Sequence, residues 1–205
     1  MFYTLCFGVI VFLCFGTLPA WAHHGMGGGL PQSWSDGLIS GLAHPVIGLD
    51  HFASILAVGV LGALKSFGIL LPIGFILFTT LGSAIHLLGL ELPIAELGIT
   101  ASLGIFSMLI ALEKSPKSLL TSLLIAGAGI FHGYAYGESI FGAETSPLVA
   151  YLIGFSLIQT IIALVAFLAM KKLTNAQHQM VGFILLGISF SVIFNKLIEF
   201  LLPTP

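Results

Sequence analysis

The sequence predicts an all-α membrane protein, a polytopic bundle of about six transmembrane helices that follows a cleavable N-terminal signal peptide. Three observations carry that prediction. Hydrophobic residues make up 58% of the 205 residues and charged residues 7%, against about a quarter charged in ordinary soluble domains. The mean hydropathy is +1.13. Apolar runs long enough to cross a hydrocarbon core of about 30 Å recur along the chain, joined by very short connectors. With eight acids, six lysines, seven histidines and no arginine, the chain has no basic cluster for nucleic acid. Nucleic acid is excluded as a partner, and the lipid bilayer is expected as the surroundings.

Taken in order, residues 1–22 read as the signal peptide: the apolar run 5–18 has the length of a signal core, and Ala20-Trp21-Ala22 fits the small-x-small cleavage rule. The preceding MFYT lacks lysine and arginine, which leaves an uncleaved anchor helix as the alternative. Cys6 and Cys14 both fall here, so a cleaved protein has no disulfide, iron-sulfur or thiolate metal chemistry. Residues 23–36, HHGMGGGLPQSWSD, read as a periplasmic linker containing glycine and histidine. The six-helix transmembrane domain, residues 37–205, then carries apolar segments at 37–64, 66–90, 93–112, 118–141, 146–170 and 179–202. With an exported N-terminus, Lys65, Lys114, Lys117, Lys171 and Lys172 all face the cytoplasm, as the positive-inside rule requires. Lys196 alone lies near an outer helix end, where snorkelling or pairing with Glu199 would serve it.

The first segment contains GLAHPVIGLDHFASIL, residues 41–56. Counted along a straight helix at about 1.5 Å per residue, His44 lies about 10 Å, and Asp50 and His51 about 20 Å, below its outer end. Ionisable groups at such depths mark a polar pathway or site. Pro45 removes an amide donor and obstructs the carbonyl of Gly41, which predicts a kink or unwinding there. The fourth segment contains GIFHGYAYGES, residues 129–139, in which Gly129, Gly133 and Gly137 form a small-xxx-small stripe for close helix approach. His132 and Glu138 flank the stripe. The spacing from His44 to Asp50 recurs from His132 to Glu138, in helices of opposite sense, and hints at two inverted three-helix halves. A third group, His86, Glu91 and Glu96, lies at the outer ends of the second and third helices. Glu91 and Glu144 read as solvated loop acids, and His178 as a cytoplasmic surface residue beside Lys171 and Lys172.

One buried histidine is ordinarily a hydrogen-bonded core residue, but three of them with several acids in lipid point to a site. Imidazole and carboxylate without thiolate suit Ni²⁺, Co²⁺, Zn²⁺ or Cu²⁺. The candidate metal residues are His44, Asp50, His51, His132 and Glu138. His86 and Glu96 join them or are wetted helix-end residues, and His23 and His24 are an accessory capture site or simply linker. No nucleotide-binding loop is present, so no ATP site is expected, nor any prosthetic group. An intramembrane metalloenzyme or metal-binding membrane subunit is the alternative to a transporter, but HExxH and paired Glu-x-x-His motifs are missing.

HPVIGLDH, residues 44–51, resembles the His-Pro-x-x-Gly-x-Asp-His signature of the HupE/UreJ nickel/cobalt permeases. FHGYAYGE, residues 131–138, is similar to that family's Phe-His-Gly-x-Ala-x-Gly-x-Glu signature, and PIAELGITAS, residues 93–102, to its third-helix segment. The resemblance covers the mature chain. It implies a permease, not an enzyme, that imports nickel or cobalt as substrate across a bacterial cytoplasmic membrane for metalloenzymes or cobalamin synthesis. The ion would shed water near His86, Glu96 and Glu138 and bind at His44, Asp50, His51 and His132. N-terminal sequencing should find a mature protein starting at His23, and a reporter fused after Pro205 should be exported. Retention of Met1 would refute cleavage, and a cytoplasmic C-terminus would overturn the topology.

Overall fold

The computed structural model describes residues 29–64, 68–113 and 118–202, which fold as seven α-helices without a strand among them. They are α1 (Trp34–Ile47), α2 (Leu49–Leu64), α3 (Leu70–Leu87), α4 (Ala95–Ala111), α5 (Ser118–Glu138), α6 (Thr145–Met170) and α7 (Asn175–Leu201). The signal peptide, His23, His24, Lys65, Lys114 and Lys117 lie outside the described residues. The six apolar stretches correspond to the α1–α2 pair and to α3 through α7. By length and composition α3, α5, α6 and α7 each suffice to cross a membrane, and α1 with α2 suffices as a broken span bent by 79°. At 17 residues α4 is shorter, about 25 Å. Large apolar side chains such as Leu77, Leu119, Leu123 and Val165 cover the outside of the bundle. This is a multi-pass membrane protein.

α1 and α7 start earlier than hydropathy alone places them, because caps decide them. Ser33 Oγ accepts from Asp36 N at 3.1 Å while Asp36 Oδ2 accepts from Ser33 N at 3.1 Å, a reciprocal capping box that opens α1 at Trp34. Thr174 and Gln177 do the same for α7, which therefore starts at Asn175. The kink expected at Pro45 is displaced. Pro45 stays inside α1, and the chain breaks at Gly48, whose backbone is extended at φ −72, ψ 106. Its amide donates to His44 O at 3.3 Å and its carbonyl accepts from Phe52 N at 2.8 Å, so one residue closes α1 and opens α2. A Cβ here would lie 2.6 Å from His51 Cδ2, which leaves room for glycine only.

Beyond the break, α2 enters the centre of the bundle and packs against α3, α4, α6 and α7. Ala53, Ile55, Ala57, Val58 and Leu61 are fully buried there. Around it, the closest pairings are α3 with α5, α1 with α6 and α4 with α7. Glycine sets the first two. Gly37 and Gly41 lie on the backbone of Pro147 and Tyr151, and Gly129, Gly133 and Gly137 on that of Phe75, Thr79 and Ser83. In both pairs the residue numbers rise together, so the helices run parallel. Gly182 against Ala111 and Gly104 against Ser189 show α4 and α7 antiparallel. Exchanging the first three segments for the last three maps α1·α6 onto α3·α5 and α4·α7 onto itself, the pattern of two related halves. Close approach also permits hydrogen bonding between helices: Ser83 Oγ donates to Gly133 O at 2.8 Å.

Gly127 and Gly133 occupy the same helix but differ in surroundings, since a Cβ on Gly127 meets nothing within 4 Å and one on Gly133 meets the Thr79 backbone. Gly127→Ala should be neutral or stabilising by about 0.5–1 kcal/mol, whereas Gly133→Ala should cost roughly 1–3 kcal/mol. Thermal unfolding in detergent checks the contrast. Equal melting temperatures would remove the glycine stripe as the determinant of the α3·α5 contact.

Candidate metal site

The break at Gly48 brings two histidines from one sequence motif together from different helices. His44 sits in the last turn of α1 and His51 in the first turn of α2, with ring centroids 5.6 Å apart. From α5, His132 reaches His51 at 5.1 Å between centroids. The three rings form a row, all of them buried, with His132 fully enclosed. A straight helix would also have put His44 and His51 on one face by their spacing of seven, but the depth count along it does not hold past Gly48.

For neutral rings, hydrogen bonds select the tautomers of His132 and His51. Ser102 Oγ donates to Ile99 O at 2.7 Å, so toward His132 Nε2, 3.3 Å away, the hydroxyl has only lone pairs to offer. His132 therefore carries its proton on Nε2 and accepts at Nδ1. The 2.9 Å contact between the Nδ1 atoms of His51 and His132 is then a donation from His51. That leaves the lone pair of His51 on Nε2, the form in which an imidazole ligates a metal ion.

His51 also lines a cleft of about 200 Å³ whose other polar walls are Asp50, Glu96, Glu138, Ser139 and Lys196. The cleft lies at the end of the bundle where α4 begins and where α5 and α7 finish. Asp50 Oδ1 accepts from the amide of His51 at 2.9 Å. That contact ties its carboxylate to the first turn of α2. Glu96 Oε2 accepts from Lys196 Nζ at 2.8 Å. The sequence offered Glu199 as a partner for Lys196; the ammonium instead crosses from α7 to α4, because the cleft gives it a carboxylate on the next helix.

Of the candidate residues, then, His44, His51 and His132 form the buried row, and Asp50, Glu96 and Glu138 the cleft beside it. His86 stands elsewhere. Its ring packs edge-on to Tyr134 at 4.6 Å and to Phe141 at 5.3 Å, it does not line the cleft, and its Nδ1 is buried without a hydrogen-bond partner among the described residues. His178 Nε2 donates to Met170 O at 3.0 Å, at the opposite end with Lys171 and Lys172. Among the described residues no three His, Cys, Asp or Glu side chains converge on a single ion position. The row and the cleft adjoin through His51 rather than forming one closed cage.

Three contributors escaped sequence reasoning. Tyr136, fully buried, packs on His44 at 5.2 Å and on His51 at 4.7 Å, and its hydroxyl has no partner among the described residues. Tyr151 Oη donates to Tyr136 O at 3.1 Å and ties α6 to the last turn of α5. Ser102 orients His132. Tyr136 lies within FHGYAYGE, where a phenol inside an apolar helix was the available sign; Ser102 ends PIAELGITAS, where nothing sets it apart from Thr100, and Tyr151 lies in no motif.

Comparison with known proteins agrees with this arrangement of motifs. The HupE / UreJ protein family matches residues 11–192. Protein HupE of Rhizobium leguminosarum bv. viciae is 28% identical over 142 residues, covering 67% of this chain and 70% of that protein. No solved structure matches the chain. With the family's match running from the first segment to the last helix, the chain belongs to the HupE / UreJ family.

Proposed function

We propose that this protein is a secondary permease that imports nickel or cobalt ions across the bacterial cytoplasmic membrane, with its mature N- and C-termini outside the cytoplasm. The observation that carries this reading is the join between a carboxylate-lined cleft and a buried row of three imidazoles. Under the lysine bias of the loops, the cleft opens outward. A hydrated divalent ion is attracted by Asp50, Glu96 and Glu138, exchanges water for oxygen ligands, and meets the Nε2 lone pair of His51. Nitrogen donors then favour Ni²⁺ and Co²⁺ over ions that prefer oxygen alone. Ligation through the Nδ1 atoms requires the His51–His132 hydrogen bond to open, so a passing ion exchanges for a bond that re-forms behind it.

An inside-negative potential contributes about 2.3 kcal/mol per charge per 100 mV, hence about 4.6 kcal/mol for a divalent ion. The sequence has no nucleotide-binding loop, so the potential drives uptake without ATP, alone or with a proton coupled through Asp50 or Glu138. His23 and His24, if retained after cleavage, would stand on the outer side as accessory ligands.

The reading is tested by uptake of radiolabelled nickel and cobalt into membrane vesicles, each metal competing with the other. Wild-type vesicles should accumulate and release the ion; stoichiometric retention without release would favour a resident-metal protein. Asp50→Asn, His51→Ala and His132→Ala should each reduce uptake at least about tenfold, the equivalent of about 1.4 kcal/mol at the barrier. His178→Ala and Glu144→Gln, away from the cleft, should leave it unchanged. Abundance in the membrane is measured for each variant, since a buried polar network also supports folding. Wild-type rates in well-expressed Asp50→Asn and His51→Ala proteins would remove the site.

A further inference from the structure

Among the described residues Lys196 is the one lysine at the cleft end of the bundle, whereas Lys171 and Lys172 lie at the other. A lysine in the last turns of an apolar helix ordinarily snorkels along the helix toward water. Lys196 instead extends across to α4, with its side chain 27% exposed, and holds Glu96 at 2.8 Å. Its position is a wall of the same cleft that Asp50, His51 and Glu138 line. An ammonium there stands where a cation would first meet carboxylate oxygen.

We propose that Lys196 is a tethered cation that the transported ion must displace from Glu96, and that it sets both affinity for the ion and discrimination against ions bound by oxygen alone. The proposal rests on the reading of the cleft as the ion's route. Its charge balance is simple: the carboxylates of Asp50, Glu96 and Glu138 with the ammonium of Lys196 carry a formal charge matching one divalent cation. Without the ammonium the cleft is over-neutralising. Any divalent ion would then be held by carboxylates at the mouth, and Mg²⁺, which takes oxygen ligands readily, gains as much as nickel does. With the ammonium present, oxygen attraction is reduced for all ions, and the difference made by the imidazole of His51 decides which ion proceeds. The same repulsion lowers the occupancy of the mouth, so a bound ion is not trapped there.

The test measures nickel chloride uptake into vesicles containing wild-type protein, Lys196→Met, Lys196→Gln and the double variant Lys196→Met/Glu96→Gln, with and without excess magnesium chloride. Glutamine keeps a hydrogen-bond donor for Glu96, so the charge is removed in a variant that preserves the helix contact. Both single variants should lower the half-saturating nickel concentration about tenfold at low ionic strength, with the gain shrinking as salt rises. Magnesium should become an effective competitor in both. The double variant, whose formal charge again matches one divalent ion, should return toward wild-type affinity. An unchanged or raised half-saturation in a well-expressed single variant, or continued indifference to magnesium, would overturn the proposal. So would loss of membrane abundance in all three variants, which makes the ion pair a structural strut between α4 and α7. If wild-type vesicles take up no metal, the permease reading itself fails, an outcome visible before any variant is compared.

Discussion

Within a bilayer the backbone can leave helical geometry only where protein or water satisfies the groups that the helix releases, and the 79° bend at Gly48 is where this chain meets that constraint. The bend frees carbonyls at the end of α1 and amides at the start of α2. One amide is answered by Asp50, whose carboxylate accepts from His51 N at 2.9 Å, and the surrounding cleft supplies a polar boundary. The positive end of the α2 dipole faces this region. By itself it would repel a cation, so Asp50 in the first turn offsets the helix before it can assist an ion. Bend, carboxylate and cleft therefore form one requirement, and none of them is tolerable in lipid without the others.

The imidazoles depend on the same bend and on a supporting layer. His132 is oriented by Ser102, whose own proton is committed to Ile99 O at 2.7 Å. His51 is held from one side by His132 and from the other by the Tyr136 ring. Tyr151 secures the Tyr136 backbone. A ligand ring positioned by neighbours loses little freedom when it binds, which is how supporting residues tune a metal site. Among the described residues the Tyr136 hydroxyl, which adjoins this row, has no hydrogen-bond partner, and an unsatisfied buried phenol is costly enough to require a reason.

Much of this was legible in advance, for identifiable reasons. Apolar length is dictated by bilayer thickness, so the six segments could be read directly, and the glycine stripe in α5 announced its close contact because only missing side chains permit it. His44, Asp50, His51, His132 and Glu138 stood out because ionisable groups are rare in such helices. Pro45 marks a bend by its chemistry, but the break falls at Gly48, where a Cβ would meet His51 Cδ2 at 2.6 Å. His86 carried the same sequence mark as the others and yet stacks on Tyr134 and Phe141, since residue type does not encode which helix face meets the cleft. The Lys196–Glu96 pair joins positions about half the chain apart and had no local sign at all.

The two halves bear on how an ion could leave. Glycine packing aligns Gly37 with Gly129 and Gly41 with Gly133, a register in which His44 corresponds to Tyr136 and His132 to Ser40, one turn away from the correspondence suggested by the shared histidine-to-acid spacing. His44 and Tyr136 touch at 5.2 Å, so the scaffold is related by halves while the ligands are not. Every imidazole in the row thus belongs to the cleft end. Beyond the row, the buried polar side chains include Ser54 one turn on from His51, Gln159 beside Thr79, and Thr121 near the start of α5, an amide and hydroxyls whose hold on Ni²⁺ or Co²⁺ is weaker than that of imidazole. If the proposed route passes them, an ion exchanges nitrogen ligands for weaker neutral oxygen ligands as it moves inward, a cost that the membrane potential would have to meet.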